Sequence, residues 1–416
     1  MTVATAPIPA AQKALVLITA DKDVALLDIP VPVPGAGEVL IKVHAIALNP
    51  VDSLYVGSPL AQQAQRVIGT DFAGVVVASG ADLTSSSDAR TKAGARVAGF
   101  LQGACSRNDR PGAFAEYIVI PYDLTWSVPA SMPLTSASAV SMCGVTAAQG
   151  VFFRQQLPAP FWPTKEWNAG RGWNPSIPAD EPVNYLIYGA STSLGLYAAQ
   201  LVQAAAAFSG RKVRLIGLAS ANKHALLRQK PYSYDVLLDY RGDWPAGVRE
   251  AAPRGVDYAF DAISEGDTVR KVHDLLAPTA TPGSFVIFRN DRSDMMPKAP
   301  GVWGAVGYRV APVYGAAWEA LGVEIGYDSQ TIPAKPDARA FATAFYDWLS
   351  TAATDGKVKV QPNPVRIMPG GLERVVPDGF VLLGWNQVSA RDNNGRTEEY
   401  MRPISGEKLV YEIVKE

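Results

Sequence analysis

The chain reads in two textures. Up to about residue 130, short apolar or β-branched runs alternate with turn residues. The runs are Ala14–Ile18, Glu38–Leu48, Ala73–Ser79, Arg96–Phe100 and Phe114–Ile120. Pro30 to Gly37, Gly57-Ser58-Pro59, Gly80 and Gly94 separate them. This spacing predicts an antiparallel, barrel-like domain. Ser136–Phe153, rich in Ala, Val and Met, predicts a buried helix. Beyond it the period changes. Val183–Ala190, Val213–Ala219, Val236–Tyr240, Val256–Ile263 and Gly283–Phe288 predict strands, with helices over Leu194–Phe208 and Asn222–Gln229. Strand–helix–strand repetition implies right-handed crossovers and a doubly wound parallel sheet. Lys408–Val414 is strand-like again.

Between the textures, residues 157–182 carry six prolines and three tryptophans, Trp162, Trp167 and Trp173. We expect an extended segment that wraps the surface and covers apolar groups; a lid or partner-binding segment is the alternative.

Composition narrows the class. At roughly 100–200 residues per domain, 416 residues suggest two or three domains. Charged residues are 19%, too few for disorder, and the net charge of −1 provides no basic excess for nucleic acid or an anionic membrane. Two cysteines, Cys105 and Cys143, make neither a disulfide framework nor a four-cysteine zinc site. The three histidines, His44, His224 and His273, form no metal-ligand pair, so each reads as structural or solvated and no metal residue is assigned. No basic run precedes an apolar N-terminal stretch, and the apolar segments are short for a membrane span. The expectation is a soluble, cytoplasmic protein.

The sharpest local signal is VNYLIYGASTSLG, Val183–Gly195. An apolar strand meets a small-residue turn that opens an Ala-rich helix. Such a turn brings pyrophosphate to backbone N–H groups at the positive end of a helix. Gly189 suits the tight turn and Gly195 close helix–strand packing. Ser191, Thr192 and Ser193 replace the usual central glycine, and their hydroxyls offer donors to phosphate oxygens. The second strand ends at Ala219-Ser220 without the acidic residue that holds a ribose 2′-hydroxyl in NAD sites. Ser220 and Lys223 stand there instead, with Arg228 farther on and Tyr240 at the next strand end. A hydroxyl and a cation suit a 2′-phosphate, so NADPH is expected. A tight structural turn with solvated charges is the plainer alternative.

With these segments in view, the chain resembles the medium-chain dehydrogenase/reductase superfamily, in its zinc-free, quinone-reductase-like branch. The blocks PGAGEVLIKV (34–43), LNPVD (48–52), IGTDFAGVVV (68–77), GAFAEY (112–117) and GEKLVY (406–411) carry the likeness, with the cofactor turn and Asp239-Tyr240-Arg241 in family order. VRIMPGGL (365–372) resembles fungal members. Gly69-Thr70-Asp71 stands where zinc-dependent relatives carry Gly-His-Glu. The resemblance implies an α/β fold: a Rossmann-type doubly wound parallel sheet plus a GroES-like, mainly antiparallel β-barrel. The barrel takes 1–145, with 357–416 returning to it, and the nucleotide domain takes 146–356.

The closest likeness is to trans-acting enoyl reductases of fungal polyketide biosynthesis. It implies NADPH-dependent, zinc-independent reduction of an activated C=C bond in an interdomain cleft, on an α,β-unsaturated thioester, and a polyketide synthase as partner. On that likeness Val51 and Leu54 lie beside the cofactor, and Ser191, Thr192, Ser193, Ser220, Lys223 and Tyr240 hold phosphates and ribose. Ala262-Ile263 pass under the nicotinamide side, and Ile404-Ser405 return to the cofactor. Ser141–Ala148, including Thr146, lines the reacting site. Leu54 replaces the lysine many of these reductases carry, so Asn49, Asp52 and Tyr55 become the candidates for proton donation, with water as the alternative donor. For Asn49 and Asp52, turn capping is the alternative. Val388-Ser389 offers a second alignment to the family's Val-Ser. A free enone or quinone reductase, an NADPH-binding scaffold, and a non-redox or reverse-direction enzyme remain as rival functions. The segment Asp291–Gly315, rich in Gly, Pro and charge, makes a clean edge strand doubtful, and a monomer is favoured.

Overall fold

Strand Glu38–Ala47 organises the first of two units, because its near-continuous burial lets it pair on both sides. It runs antiparallel to Asp71–Ser79, Tyr117–Pro121 and Lys408–Glu412. Register shifts between Leu40 and Ile41 and between Val43 and Ala45 bend it, as bulges do at barrel corners. Arg96–Phe100 and Thr125–Ser127 extend the sheet on one side, and Val365–Met368 pairs in parallel with Lys408–Glu412 on the other. A separate three-stranded sheet joins Val24–Pro30, Ala11–Leu17 and Arg66–Val67. The computed structural model describes residues 7–19, 23–57, 65–103, 107, 110–162, 171–289, 297–299, 302–303, 308–327, 331–384 and 391–414.

The contacts divide the chain into residues 1–142 with 318–416, and residues 143–317. The return to the first unit therefore begins at Trp318, well before the expected 357. The cause is the helix Pro336–Ser350, whose buried Ala338, Phe341, Ala342, Phe345 and Leu349 recur at helical spacing. Ser127 N–H donates to Ser350 Oγ at 2.9 Å, and Arg339 pairs with Asp123 at 2.5 Å, tying this helix to the barrel strands. Two further expectations change. The strand expected from Phe114 begins at Tyr117, because Phe114 and Glu116 bond instead to Leu15 and Lys13. The helix expected over 136–153 comprises Leu134–Ala137, Ser141–Ala148 and a π-helical end, Gln149–Arg154. Leu134–Arg154 is long and apolar enough to cross a membrane, yet 89% of its most apolar window is buried in the fold.

The second unit holds a six-stranded, all-parallel sheet. Its order is Val236–Leu238, Val213–Leu218, Val183–Tyr188, Tyr258–Asp261, Phe285–Ile287, Val313–Tyr314. The strand order reverses between Val183–Tyr188 and Tyr258–Asp261, which makes their carboxyl ends the switch point where such sheets bind ligands. Leu186, Ile216, Ala259 and Phe285 pack with Trp244, Val248 and Val272 on one face. The sheet does acquire an edge strand, Val313–Tyr314, where the sequence made one doubtful; 290–296, 300–301 and 304–307 lie outside the described residues. In the Pro/Trp segment, Trp173 meets the Tyr258 ring edge-on at 5.7 Å and the Asn174 amide donates to the Tyr258 hydroxyl at 2.7 Å. That segment covers apolar surface, as expected; Trp167 lies outside the described residues. So do Cys105 and Val388-Ser389, while Cys143 is buried.

Candidate functional site

In the second unit the strand Val183–Tyr188 ends at Gly189, whose φ of +77° an L side chain rarely adopts. The chain then turns into the 17-residue helix Ser193–Ser209. A Cβ on Gly195 would stand 2.3 Å from the Gly189 carbonyl oxygen, so only glycine lets the helix come this close. Thr192 is the N-cap. Its hydroxyl donates to Gly189 O at 2.7 Å and accepts from Gly195 N–H at 3.1 Å. The Thr192 hydroxyl thus closes the turn. Ser191 and Ser193 are partly exposed on the same turn. Small residues, a positive φ and a capped helix end at the switch point fit a dinucleotide's pyrophosphate.

The neighbouring strand ends converge. Leu218 and Leu238 are register partners, so Ser220 and Asp239-Tyr240 emerge side by side. An acid does stand by the second strand, supplied by its neighbour: Asp239 accepts from the Ala221 and Arg241 amides at 3.1 and 2.9 Å, and these bonds hold its carboxyl below the usual range. Tyr240 is exposed, and the Arg241 guanidinium sits 4.5 Å from its ring centre. Lys223 is partly buried in the short turn after Ser220. Arg228 is exposed. Sequence reasoning named Arg241 only within a motif; its place over Tyr240 adds a second cation to this edge. Ala262 N–H donates to Tyr188 O at 3.0 Å, and Ile263 packs against Gly189. Asp261, buried and pushed up to about 6, fixes this turn by accepting from the amides of Ile263 and Ser264 and the Thr268 hydroxyl. His224 and His273 are structural: His224 Nε2 meets Ala219 O, and His273 Nε2 meets the Arg309 amide.

The first unit holds a different constellation. Gly69, at φ +94°, packs against the Phe114 ring so closely that a Cβ there would lie 2.1 Å from it. The following Thr70 and Asp71 turn inward. Asn49 precedes the helix Pro50–Gly57 and is 2% exposed. Its Nδ2 donates to Thr70 Oγ1 at 2.9 Å and Asp71 Oδ2 at 2.8 Å. Lys408, from the last strand, donates through Nζ to Asn49 Oδ1 at 3.0 Å and to Asp71 Oδ2 at 2.5 Å, with both ionic side chains buried. Met142 N–H donates to Asp71 Oδ1 at 2.8 Å.

Asp52 accepts the Asn49 amide at 2.6 Å on Oδ2. So Asp52 does cap its turn, yet Asn49 and Asp52 also belong to a buried polar cluster. Burial, with Asp71 adding to it, pushes the Asp52 carboxyl up to about 7, against the Asn49 amide, the Thr70 hydroxyl and the Lys408 ammonium. A cavity of about 10 Å³, the room one water needs, is lined by Asp52, Tyr55, Val51, Gly69, Thr70 and Gln102. The structure thus brings Asn49, Asp52 and Tyr55 to one place. Leu54 is partly exposed on the same helix. Ile404 is partly buried and Ser405 exposed ahead of the last strand. Thr146 is 8% exposed, on the helix Ser141–Ala148 in the other unit. Sequence reasoning missed Asp71 and Lys408 as members of the site. The signal was present as two charged residues inside apolar runs, IGTDFAGVVV and GEKLVY.

Comparison with known proteins agrees with this architecture. Residues 35–130 match the alcohol dehydrogenase GroES-like domain family. The trans-enoyl reductase buaC of Petromyces alliaceus is 27% identical over 385 residues, covering 92% of each chain. The trans-enoyl reductase caaB of Aspergillus niger is 28% identical over 416 residues, covering 99% of each. Among solved structures, an alcohol dehydrogenase superfamily protein from Novosphingobium aromaticivorans superposes with a TM-score of 0.68 at 17% identity, over 97% of this chain and 99% of that one. Over nearly its whole length the chain is therefore similar to fungal trans-enoyl reductases, with a GroES-like domain over residues 35–130 and a fold shared with an alcohol dehydrogenase superfamily structure.

Proposed function

We propose that this protein is an NADPH-dependent, zinc-independent enoyl reductase of secondary metabolism, acting on an α,β-unsaturated thioester carried by a polyketide synthase. The observation that carries the reading is full-length relatedness to curated trans-enoyl reductases, 92% and 99% of the chain in two cases. Members of this superfamily that reduce enoyl groups use a nicotinamide cofactor. Bound NADPH supplies a hydride for the β-carbon of the substrate.

The chain's own residues supply placement. The backbone at Gly189, with Ser191 and Ser193, would receive the pyrophosphate. Ser220, Lys223, Tyr240 and Arg241 form the edge suited to a 2′-phosphate, and Ala262-Ile263 border the turn at the switch point. The Asp239 carboxylate is engaged by two amides, which favours the phosphorylated cofactor over a bare 2′-hydroxyl. Zinc independence is supported by Thr70, in the block where zinc-dependent relatives carry histidine, and by the Lys408 ammonium already seated on Asp71. A monomer is supported by the two-residue edge strand, too short to template a partner.

Two measurements test this. Calorimetric titration should show NADPH preferred over NADH by tenfold or more, about 1.4 kcal/mol, and Lys223→Ala should erase the preference. Equal affinities in the wild type would refute the 2′-phosphate site. NADPH oxidation should then be far faster with an enoyl thioester on a carrier or pantetheine arm than with free enones. The reverse order would favour a free enone or quinone reductase.

A further inference from the structure

We propose that Asp52 is the proton source for the reduction and that Lys408 is the positioning residue that leaves the proton on Asp52 rather than on Asp71. This rests on the enoyl-reductase reading above.

Two buried carboxyl groups share this corner with one ammonium. Asp71 accepts from Lys408 Nζ, Asn49 Nδ2 and the Met142 amide. Three donors, one of them an ammonium, serve both oxygens of this carboxyl group. Asp52 is served differently. Its Oδ2 accepts the Asn49 amide, while its buried Oδ1 has no hydrogen-bond partner among the described residues. A bare buried oxygen costs far more on a charged carboxylate than on a neutral carboxylic acid. The Lys408–Asp71 ion pair balances itself, so a proton on Asp52 leaves the cluster without net charge. Tyr55 faces the same cavity from the helix that carries Asp52. Tyr346, its phenol raised well above the ordinary value by burial with Asp71 adding, contributes no charge. Burial has lifted the Asp52 carboxyl into the range where a general acid works at neutral pH.

The step balances. Once the β-carbon has taken hydride, the former C=C pair resides in an enolate. That pair forms the new C–H bond at the α-carbon as the Asp52 O–H bond breaks, and the carbonyl is restored. A proton from solvent, taken up through the cavity that Asp52 and Tyr55 line, then restores the acid.

The test combines kcat–pH profiles, using NADPH and crotonyl pantetheine thioester, with infrared difference spectra of the protein alone between pH 6 and pH 8. The wild type should show an alkaline limb near pH 7 and a protonated-carboxyl band at pH 6 that fades by pH 8. Asp52→Asn should lower kcat at least tenfold and remove both the limb and the band. Lys408→Met removes the cation that sits on Asp71, so the proton should move to Asp71, kcat should fall and the limb should leave pH 7, while Lys408→Arg should keep both. A wild-type kcat and limb in Asp52→Asn, or no band in the wild type, overturns the proposal. If the wild type reduces no enoyl thioester, the enoyl-reductase reading fails, and the infrared band still decides where the proton rests. Should Lys408→Met not fold, the Asp52→Asn comparison and the band decide alone.

Discussion

Asp52 shows how one residue serves two ends. Its Oδ2 caps the turn before Pro50–Gly57, which is what an Asn-Pro-Val-Asp sequence suggests locally. Its burial beside Asp71 gives it a second property that no local pattern encodes. With its carboxyl pushed up to about 7, the folded chain holds this proton more tightly than the unfolded chain, whose ordinary value is 3.8. The resulting stability is therefore full below about pH 4 and is lost as pH rises through 7. Urea unfolding from pH 4 to pH 8 should show this fall for the wild type. Asp52→Asn should flatten it and raise stability at pH 8 by on the order of a few kcal/mol. A slope unchanged in the variant would assign the pH dependence to other groups.

At the scale of elements, the Gly189–Gly195 connection shows how much a turn's chemistry depends on which hydroxyl faces where. The sequence presents three consecutive hydroxyls as equivalent candidates. The fold engages Thr192 as the helix cap, because its β-region backbone points Oγ1 back at the Gly195 amide. Thr192→Ala should lower stability by about 1 kcal/mol in denaturant unfolding. Ser191→Ala should instead weaken NADPH binding in calorimetry and leave the unfolding midpoint nearly unchanged. Gly195→Ala should abolish cofactor binding, since its Cβ would collide with the Gly189 carbonyl. Helix Pro336–Ser350 teaches a related lesson. Its apolar spacing is plain in the sequence, yet its assignment to the barrel comes from Ser350 and Arg339 meeting Ser127 and Asp123 far upstream.

For the whole molecule, the returning C-terminal segment is as structural as the first strand. Lys408–Glu412 lies between Glu38–Ala47 and Val365–Met368. Arg366 pairs with Glu407 and binds the carbonyls of Tyr400, Arg402 and Pro403, tying down the approach to that strand. Truncation after Pro403 should strip Val365–Met368 of its partner and Glu38–Ala47 of one of its partners, and remove the cation from Asp71. The truncated chain should lose its near-ultraviolet circular dichroism or fail to remain soluble. A native-like spectrum would show that the sheet closes without this strand.

What the sequence by itself determined is whatever depends on neighbours a few residues apart. Apolar periodicity set the parallel strands and the buried helix, turn residues set their limits, and Gly189 with Gly195 marked the tight strand–helix turn. Seven short blocks in order were enough for the superfamily. What only the tertiary structure decided is which distant groups share a charge environment. Lys408 reaches Asn49 across 359 positions, Asp239 arrives beside Ala221 from the adjacent strand, and helix Pro336–Ser350 joins the barrel. The physical reason is range: side-chain periodicity is written within a turn or a strand, whereas burial, ion pairing and pKa depend on register between strands that the chain brings together only when folded.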